Sequence, residues 1–283
     1  MHRLRLAFAI CILAVLFGIP ATPAQAQEGS EESNCFSSLI ASVPSRPSFS
    51  NGAETTQCGV VEVEYGWNRE WPGGGIRQDS LGGGLRLGLT HNLDFHWSSD
   101  SLLNVQDGQG TQRGFGDTWL GFKYKFHNQS KRTPALGMLY LAKVPSASES
   151  NGLGTGQADH AISFLVSKDV GRLHFDWNAV ELLAGRASGP AFDRCTQFAL
   201  TASAPLKGRW GGILEAYGAN NLNRDNPAFA STMAGLTYEL NRRLILDSGV
   251  DVALTHGAPG KRVYAGVTYA IANVYSWMRP NHY

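Results

Sequence analysis

The chain is poor in charge and, beyond its first 26 residues, lacks long apolar runs. Charged residues make up 17% of the 283 residues, against about 25% in ordinary soluble domains. The formal net charge is only +1, so we predict no nucleic-acid partner, because such domains are strongly basic. Mean hydropathy is −0.18, and no stretch after Gln27 approaches the roughly 18 apolar residues of a membrane helix. A helical membrane bundle is therefore excluded.

The one long apolar run lies at the start of the chain. Arg3 and Arg5 precede an apolar segment from Leu6 to Ile19, and Ala24-Gln25-Ala26 follows it. This order is typical of a secretory signal peptide with a small-residue cleavage site. The alternative, a membrane anchor, would need a longer run. We predict a signal peptide over residues 1–26 and export of the remainder.

Cysteine is scarce, with four residues in the chain. Cys11 falls within the predicted signal peptide, Cys35 and Cys58 flank a polar segment, and Cys195 stands apart. An oxidising compartment outside the cytoplasm permits disulfides, and we predict one between Cys35 and Cys58. Their spacing matches no metal-site pattern. The sequence predicts no metal site and no cofactor.

Alternation of apolar and polar residues is the dominant pattern, and it is clearest between Arg113 and Phe126. Because side chains of a strand point alternately to its two faces, this stretch has one apolar aromatic face and one face of glycine and cations. The first face comprises Leu120, Phe122, Tyr124 and Phe126; the second comprises Trp119, Gly121, Lys123 and Lys125. Lipid outside and water inside would require this arrangement.

The same alternation recurs in about twelve segments between residues 59 and 275, most of them near the length that a tilted membrane strand needs. Short turns and longer polar segments alternate between them. The longer segments are Asn68–Arg77, Ser99–Gln112, Ser146–Gly156, Arg186–Arg194, Ala219–Pro227 and Thr255–Arg262. This asymmetry is typical of an outer-membrane barrel with periplasmic turns and extracellular loops.

The predicted fold class is all-β: a closed, antiparallel, up-and-down transmembrane β-barrel of about 12 strands. Residues 27–58 are rich in Ser, Glu, Pro and Asn without sustained periodicity, and we predict that they form an irregular periplasmic extension or a short plug. The barrel is predicted over residues 59–275 and a C-terminal tail over residues 276–283. Closure follows because a sheet edge in hydrocarbon leaves backbone groups unpaired.

Charged residues on the inferred inner face are the candidates for a selective lumen. One interpretation is a ladder of ion pairs with trapped water, in which acids lie opposite Lys123 and Lys125; the other is a constriction that selects substrates. The candidates are Glu62, Glu64, Arg86, Asp94, His96, Asp117, Lys123, Lys125, His174, Asp176, Asp247 and Asp251.

An enzymatic function finds little support in the sequence. His96 and Ser98 share the inferred lumen face, but no Gly-x-Ser-x-Gly motif occurs, and a barrel hydrolase needs a serine, a histidine and an orienting group that converge. We predict no catalytic residues and no enzyme activity.

Several short motifs resemble one family of outer-membrane transporters, the one called "MetA-pathway of phenol degradation". They are Arg46-Pro47-Ser48-Phe49, the segment Gly59–Gly66, Gly88-Leu89-Thr90-His91-Asn92-Leu93, Gly116-Asp117 and Gly121-Phe122-Lys123-Tyr124. The resemblance extends from about Arg46 to Tyr269. It implies a Gram-negative outer-membrane barrel that passes small, often aromatic, compounds. The cysteine pair and the extension through Pro280 to Tyr283 depart from the family pattern.

The predicted function is that of a passive outer-membrane channel for small molecules, aromatic or hydrophobic ones among them. The alternative is a sealed structural or adhesive barrel that acts through its extracellular loops. The expected location is the cell outer membrane. The expected partners are outer-membrane lipid, small-molecule solutes and the barrel-assembly machinery during biogenesis.

Overall fold

The structure, a computed structural model, describes residues 35–222, 227–256, 258 and 260–277. The predicted signal peptide, residues 27–34 and most of the predicted tail lie outside these residues. The described chain forms thirteen strands and one short helix. They are β1 (Val60–Gly73), β2 (Ile76–Gly88), β3 (Leu93–Asp107), β4 (Gly110–Gly114), β5 (Thr118–His127), β6 (Ala135–Val144), β7 (Asp159–Val170), β8 (Leu173–Gly185), β9 (Phe192–Pro205), β10 (Trp210–Ala219), β11 (Phe229–Asn241), β12 (Leu244–Ala253), β13 (Lys261–Asn273) and α1 (Val274–Trp277).

The strands form one closed antiparallel barrel, which confirms the predicted fold class. Strands that follow one another along the chain pair with each other, except that β5 pairs with β3 rather than with β4, and β1 pairs with both β2 and β13. Val63, for example, lies between Leu85 of β2 and Tyr269 of β13. Closure leaves the barrel wall without a free edge, as hydrocarbon requires. None of the helices among the described residues is long and apolar enough to cross a membrane.

Twelve strands make the wall, and β4 is an additional short strand. The stretch Arg113–Phe126 was expected to be one strand, but residues 115–117 interrupt it. β4 and β5 nevertheless pair with β3 in a single continuous register, from Leu103 opposite Gly114 to Ser99 opposite Thr118. The prediction of one unbroken strand was therefore wrong only at the break.

Two of the predicted long loops are largely strand. β1 and β2 continue to a tight turn at Gly74 and Gly75, which both have positive φ, and β3 and β4 extend to Asp107 and Gly110. The expectation of long polar loops at 68–77 and 99–112 was wrong, because strands cover most of these residues. Outside the membrane both faces of a strand meet water, so backbone pairing continues without the apolar alternation that marks a membrane strand.

The two faces of the wall differ as the alternation predicts. On β5 the side chains of Phe122, Tyr124 and Phe126 are 49%, 52% and 46% exposed on the outer surface, while Lys123 is 1% exposed inside. The outer surface is therefore apolar and aromatic, and the inner surface carries the buried charge. We call the end with the short turns the turn end and the opposite end the loop end.

Candidate functional site

The lumen is crossed by the N-terminal segment Cys35–Cys58, which we call the plug. A disulfide joins its two ends, with the Cα atoms 4.8 Å apart. The plug is held at the turn end, where the amide of Ser42 donates to the carbonyl of Arg242 at 2.8 Å and its hydroxyl donates to the carbonyl of Arg243 at 2.6 Å. The plug is thus a closed loop folded into the barrel from the turn end.

Side chains of the wall accept hydrogen bonds from the plug backbone. An irregular segment has unpaired amides, and buried amides must find acceptors. The bonds run from Val43 N to Glu62, Ser45 N to Glu64, Phe49 N and Ser50 N to Glu215, Asn51 N to Asn178, Ala53 N to Ser167, and Thr56 N to Asp94, all at 2.6–2.8 Å. The six acceptor residues come from five strands, β1, β3, β7, β8 and β10, so the wall holds the plug around much of the barrel.

Arg86 is the cation at the centre of this arrangement. Its guanidinium pairs with Glu62 and, at 2.8 Å, with Glu64. It also donates to the hydroxyl of Ser45 and to the carbonyl of Val43, each at 2.6 Å. Since Glu62 is fully buried and the Arg86 side chain is 6% exposed, these charges depend on one another for compensation.

Acids face both lysines of β5, but from different sources. Lys123 Nζ lies 3.9 Å from Asp94 of the wall and 3.3 Å from the carbonyl of Gly52 in the plug. Lys125 pairs at 2.7 Å with Glu54, which belongs to the plug. The wall and the plug therefore complete each other's ion pairs.

The remaining predicted lumen residues occupy separate positions. His96 lies 2.8 Å from Asp94 and so joins the Lys123 group. His174 and Asp176 pair at the turn end, Asp117 pairs with Lys143 at the loop end, and Asp251 pairs with Arg262. The twelve predicted residues thus divide into a central group around Arg86 and Lys123 and smaller groups toward the two ends.

Asp247 binds the plug through Arg46. The guanidinium of Arg46 lies 3.2 Å from the Asp247 carboxylate. It rests against two glycines that face each other across β1 and β13, Gly66 and Gly266. A Cβ at Gly266 would lie 2.5 Å from Arg46 Nε, so the absence of side chains makes the space that the guanidinium occupies.

Several residues of the site were not predicted from the sequence. Glu215 lies on β10, whose other inward residues include Ile213 and whose faces are both partly apolar, so its alternation is weak. Leu139 and Leu165 form a small apolar cluster inside the barrel with Ala53 of the plug. The inner face of the barrel was expected to be polar throughout. Leu139 and Leu165 are apolar because they pack against Ala53 of the docked plug.

Open volume remains on both sides of the plug. A cavity of about 600 Å³ lies toward the loop end, between residues such as Trp119, Leu141 and Asp100. A second cavity of about 370 Å³ lies toward the turn end, beside His174 and Asp176. Both cavities contact the same three residues, which are Ser45, Arg46 and Arg86. The two cavities therefore adjoin each other at these residues of the plug and the wall.

The loop between β6 and β7 narrows the larger cavity at its mouth. Leu153 of this loop is 7% exposed and lines the cavity. Lys143 of β6 binds the loop through Thr155 at 2.9 Å and pairs with Asp117 and Asp159 at 3.5 and 2.6 Å. The lumen is therefore restricted at two levels, by the plug and by this loop.

Comparison with known families agrees with this architecture. Residues 44–271 match the model of the family described as "Putative MetA-pathway of phenol degradation". The chain belongs to this family. No curated protein matches the chain significantly.

Solved structures share the fold at low sequence identity. An outer-membrane channel from Pseudomonas putida F1 aligns with a TM-score of 0.62 and 13% identity, covering 80% of this chain and 100% of that chain. The NanC porin aligns with a TM-score of 0.50 and 11% identity, covering 75% of this chain and 100% of that chain. These likenesses identify the fold as that of outer-membrane barrels.

The disulfide provides a first test of how the plug is held. In the chain-entropy model, closing a loop of this length stabilises the closed form by about 3 kcal/mol. We expect the double variant Cys35→Ser/Cys58→Ser to keep its barrel but to expose the plug to a glutamate-specific endoproteinase, which cleaves after Glu54. The measurement is the rate of cleavage in folded protein, with the unmodified, oxidised protein as the control. Equal cleavage rates would show that the hydrogen bonds alone hold the plug.

Proposed function

We propose that the protein is a channel of the outer membrane through which small solutes pass down their gradient, restricted by its plug. The turn end faces the periplasm and the loop end faces the outside, as short turns and long loops are arranged in such barrels. The observation that carries the proposal is the pair of cavities that meet at Ser45, Arg46 and Arg86. A barrel with a solely structural role has no need of two open compartments that adjoin each other inside its lumen.

The larger cavity favours small solutes that have both an apolar and a polar part. Trp119, Leu139 and Leu141 line it together with Arg46 and Arg86. Apolar walls with a few polar groups are typical of sites that orient small molecules. The family description, which refers to phenol degradation, supports aromatic compounds as one solute class. We assign no catalytic role to any residue of the lumen.

The direct test is solute entry into liposomes that contain the refolded protein. Benzoate, which is charged and aromatic, is compared with arabinose and with an aliphatic anion of similar size. We expect swelling above that of protein-free liposomes, and faster swelling with benzoate than with the aliphatic anion. Heat-modifiable migration on a gel shows that the barrel is folded. A folded barrel that produces no swelling would favour the alternative of a sealed structural or adhesive barrel.

Arg46 is expected to control passage between the cavities. Replacing Gly266 by alanine places a Cβ against the guanidinium of Arg46, which must then leave the wall and lose Asp247. We therefore expect Gly266→Ala and Arg46→Ala to change the benzoate swelling rate in the same direction, about two- to fivefold, by altering the electrostatic barrier where the cavities adjoin. If Arg46→Ala changes the rate and Gly266→Ala does not, the space beside Gly66 and Gly266 does not position the arginine.

A further inference from the structure

The turn end carries a concentration of positive charge that the channel proposal does not use. Four consecutive turns join β5 to β6, β7 to β8, β9 to β10 and β11 to β12. Their segments, residues 128–134, 168–172, 205–209 and 239–243, contain eight basic and two acidic residues. The basic residues, which we call the basic rim, are Lys131, Arg132, Lys168, Arg172, Lys207, Arg209, Arg242 and Arg243.

The basic rim keeps its charge, because the members that form side-chain hydrogen bonds donate them to neutral oxygens. Arg172 donates to the carbonyl of Pro205 at 2.9 Å, and Arg209 donates to that of Leu240 at 3.0 Å. Lys168 donates to the carbonyl of Ser130 at 2.6 Å. Across residues 35–222, 227–256 and 260–277, none of the eight forms a salt bridge. Each of these three bonds reaches the neighbouring hairpin, so the bonds order the rim without neutralising it.

At the loop end, by contrast, several arginines form salt bridges with acids. Arg69 pairs with Asp79 at 2.6 Å. Arg186 pairs with Asp193 at 2.5 Å, and Arg194 pairs with Glu181 at 2.8 Å. Paired cations of this kind have little attraction left for an external anion. Arg113 and Lys261 are the loop-end cations that form no salt bridge within the described ranges, against eight at the turn end, so unpaired positive charge is concentrated at the turn end.

Aromatic side chains on the outer surface adjoin the basic rim. Trp210 directly follows Arg209, is 48% exposed and packs on Tyr238 with the ring centroids 4.8 Å apart. The guanidinium of Arg243 lies 5.3 Å from the ring centre of Tyr269. Trp and Tyr on the surface of a membrane protein lie at the level of the lipid head groups. The rim cations therefore lie at the depth of the phosphates.

We propose that the basic rim binds the phosphodiester head groups of anionic phospholipids in the leaflet that borders the turn end. Unpaired cations beside a membrane attract acidic lipids strongly, and each basic residue adds to the attraction. The adjoining rings contact the acyl chains, so a lipid has both charge and apolar contacts where a free anion has charge alone. The inference depends on the membrane-spanning fold and not on conduction through the lumen.

The test is native mass spectrometry of the refolded mature chain in detergent. The protein is titrated with dioleoylphosphatidylglycerol or with dioleoylphosphatidylcholine, and we expect the acidic lipid to bind about tenfold more tightly. A rim variant combines Lys131→Ser, Arg132→Ser, Lys207→Ser and Arg242→Ser, whose exposed side chains make no hydrogen bond within the described part of the chain. A loop-end variant with the same change in charge, Arg77→Ser/Arg113→Ser/Arg186→Ser/Arg194→Ser, is the matched control.

We expect the preference for dioleoylphosphatidylglycerol over dioleoylphosphatidylcholine to fall below about twofold in the rim variant and to stay unchanged in the loop-end variant. A preference that survives in the rim variant, or that falls equally in both variants, overturns the proposal. So does displacement of the lipid by excess inorganic phosphate, which would show binding of the anion alone. Displacement by soluble polyglutamate would indicate an acidic protein as the occupant and would likewise overturn it.

Discussion

A barrel without its plug is expected to pass small solutes severalfold faster than the intact protein. The variant lacks residues 36–57 and carries Cys35→Ser and Cys58→Ser. Its wall should still close, because the ladder between β1 and β13 involves no plug residue. The wall acceptors that lose plug amides, such as Glu62 and Glu215, would then bind water. The measurement is the rate of arabinose-driven swelling of liposomes with equal amounts of folded protein.

The matched control for this deletion retains residues 36–57 and carries only Cys35→Ser and Cys58→Ser. We expect its swelling rate to lie between those of the intact and the plug-deleted proteins, since the hydrogen bonds to the wall remain. Equal rates for the intact and plug-deleted proteins, with both barrels folded, would show that residues 36–57 do not limit passage. The loop that carries Leu153 would then be the next segment to delete.

Replacing Arg86 by methionine is expected to lower the free energy of unfolding by about 3–5 kcal/mol. The substitution leaves Glu62, which is fully buried, and Glu64 without their shared cation. An uncompensated buried charge costs more than the pair contributed, because desolvation of the remaining group is no longer offset. Urea unfolding from lipid vesicles, followed by tryptophan fluorescence, measures the change.

Two further variants separate this cause from a general loss of packing. Arg113→Met removes an exposed arginine and should change stability by less than about 0.5 kcal/mol. The double variant Arg86→Met/Glu62→Gln removes one of the stranded charges and should recover part of the loss. A loss below about 1 kcal/mol for Arg86→Met would mean that lumen water compensates the two acids without the arginine.

The barrel, and the face on which each side chain lies, could be predicted from local sequence. A membrane strand has only two faces, one in contact with lipid and the other with the aqueous lumen. Phe122 and Lys123 are adjacent in sequence, and this rule alone predicts that the first faces lipid and the second faces the lumen. The strand extensions to Gly73 and Asp107 were missed for the same reason. Beyond the membrane the two faces share one solvent, and the alternation disappears.

The docking of the plug depends on contacts between residues far apart in the chain. The amide of Phe49 binds Glu215, 166 residues away, and Asn51 binds Asn178, 127 residues away. Nothing periodic within residues 35–58 indicates which wall residues will accept its amides. Charge on the inner face was predictable on the strands that alternate clearly, but not at Glu215 of β10, where the alternation is weak. Its division into wall-to-wall pairs, such as Lys123 with Asp94, and wall-to-plug pairs, such as Lys125 with Glu54, was not.

Single-channel recording of the intact, refolded protein in a planar bilayer tests most directly whether this barrel is a plugged channel. We predict small, discrete current steps from the intact protein and larger steps of one uniform size from the variant without residues 36–57. This result would show that the two cavities form one path, which the plug narrows at Arg46 and Arg86. Folded barrels that yield no steps, with or without the plug, would contradict the channel and leave a sealed barrel that acts through its loops.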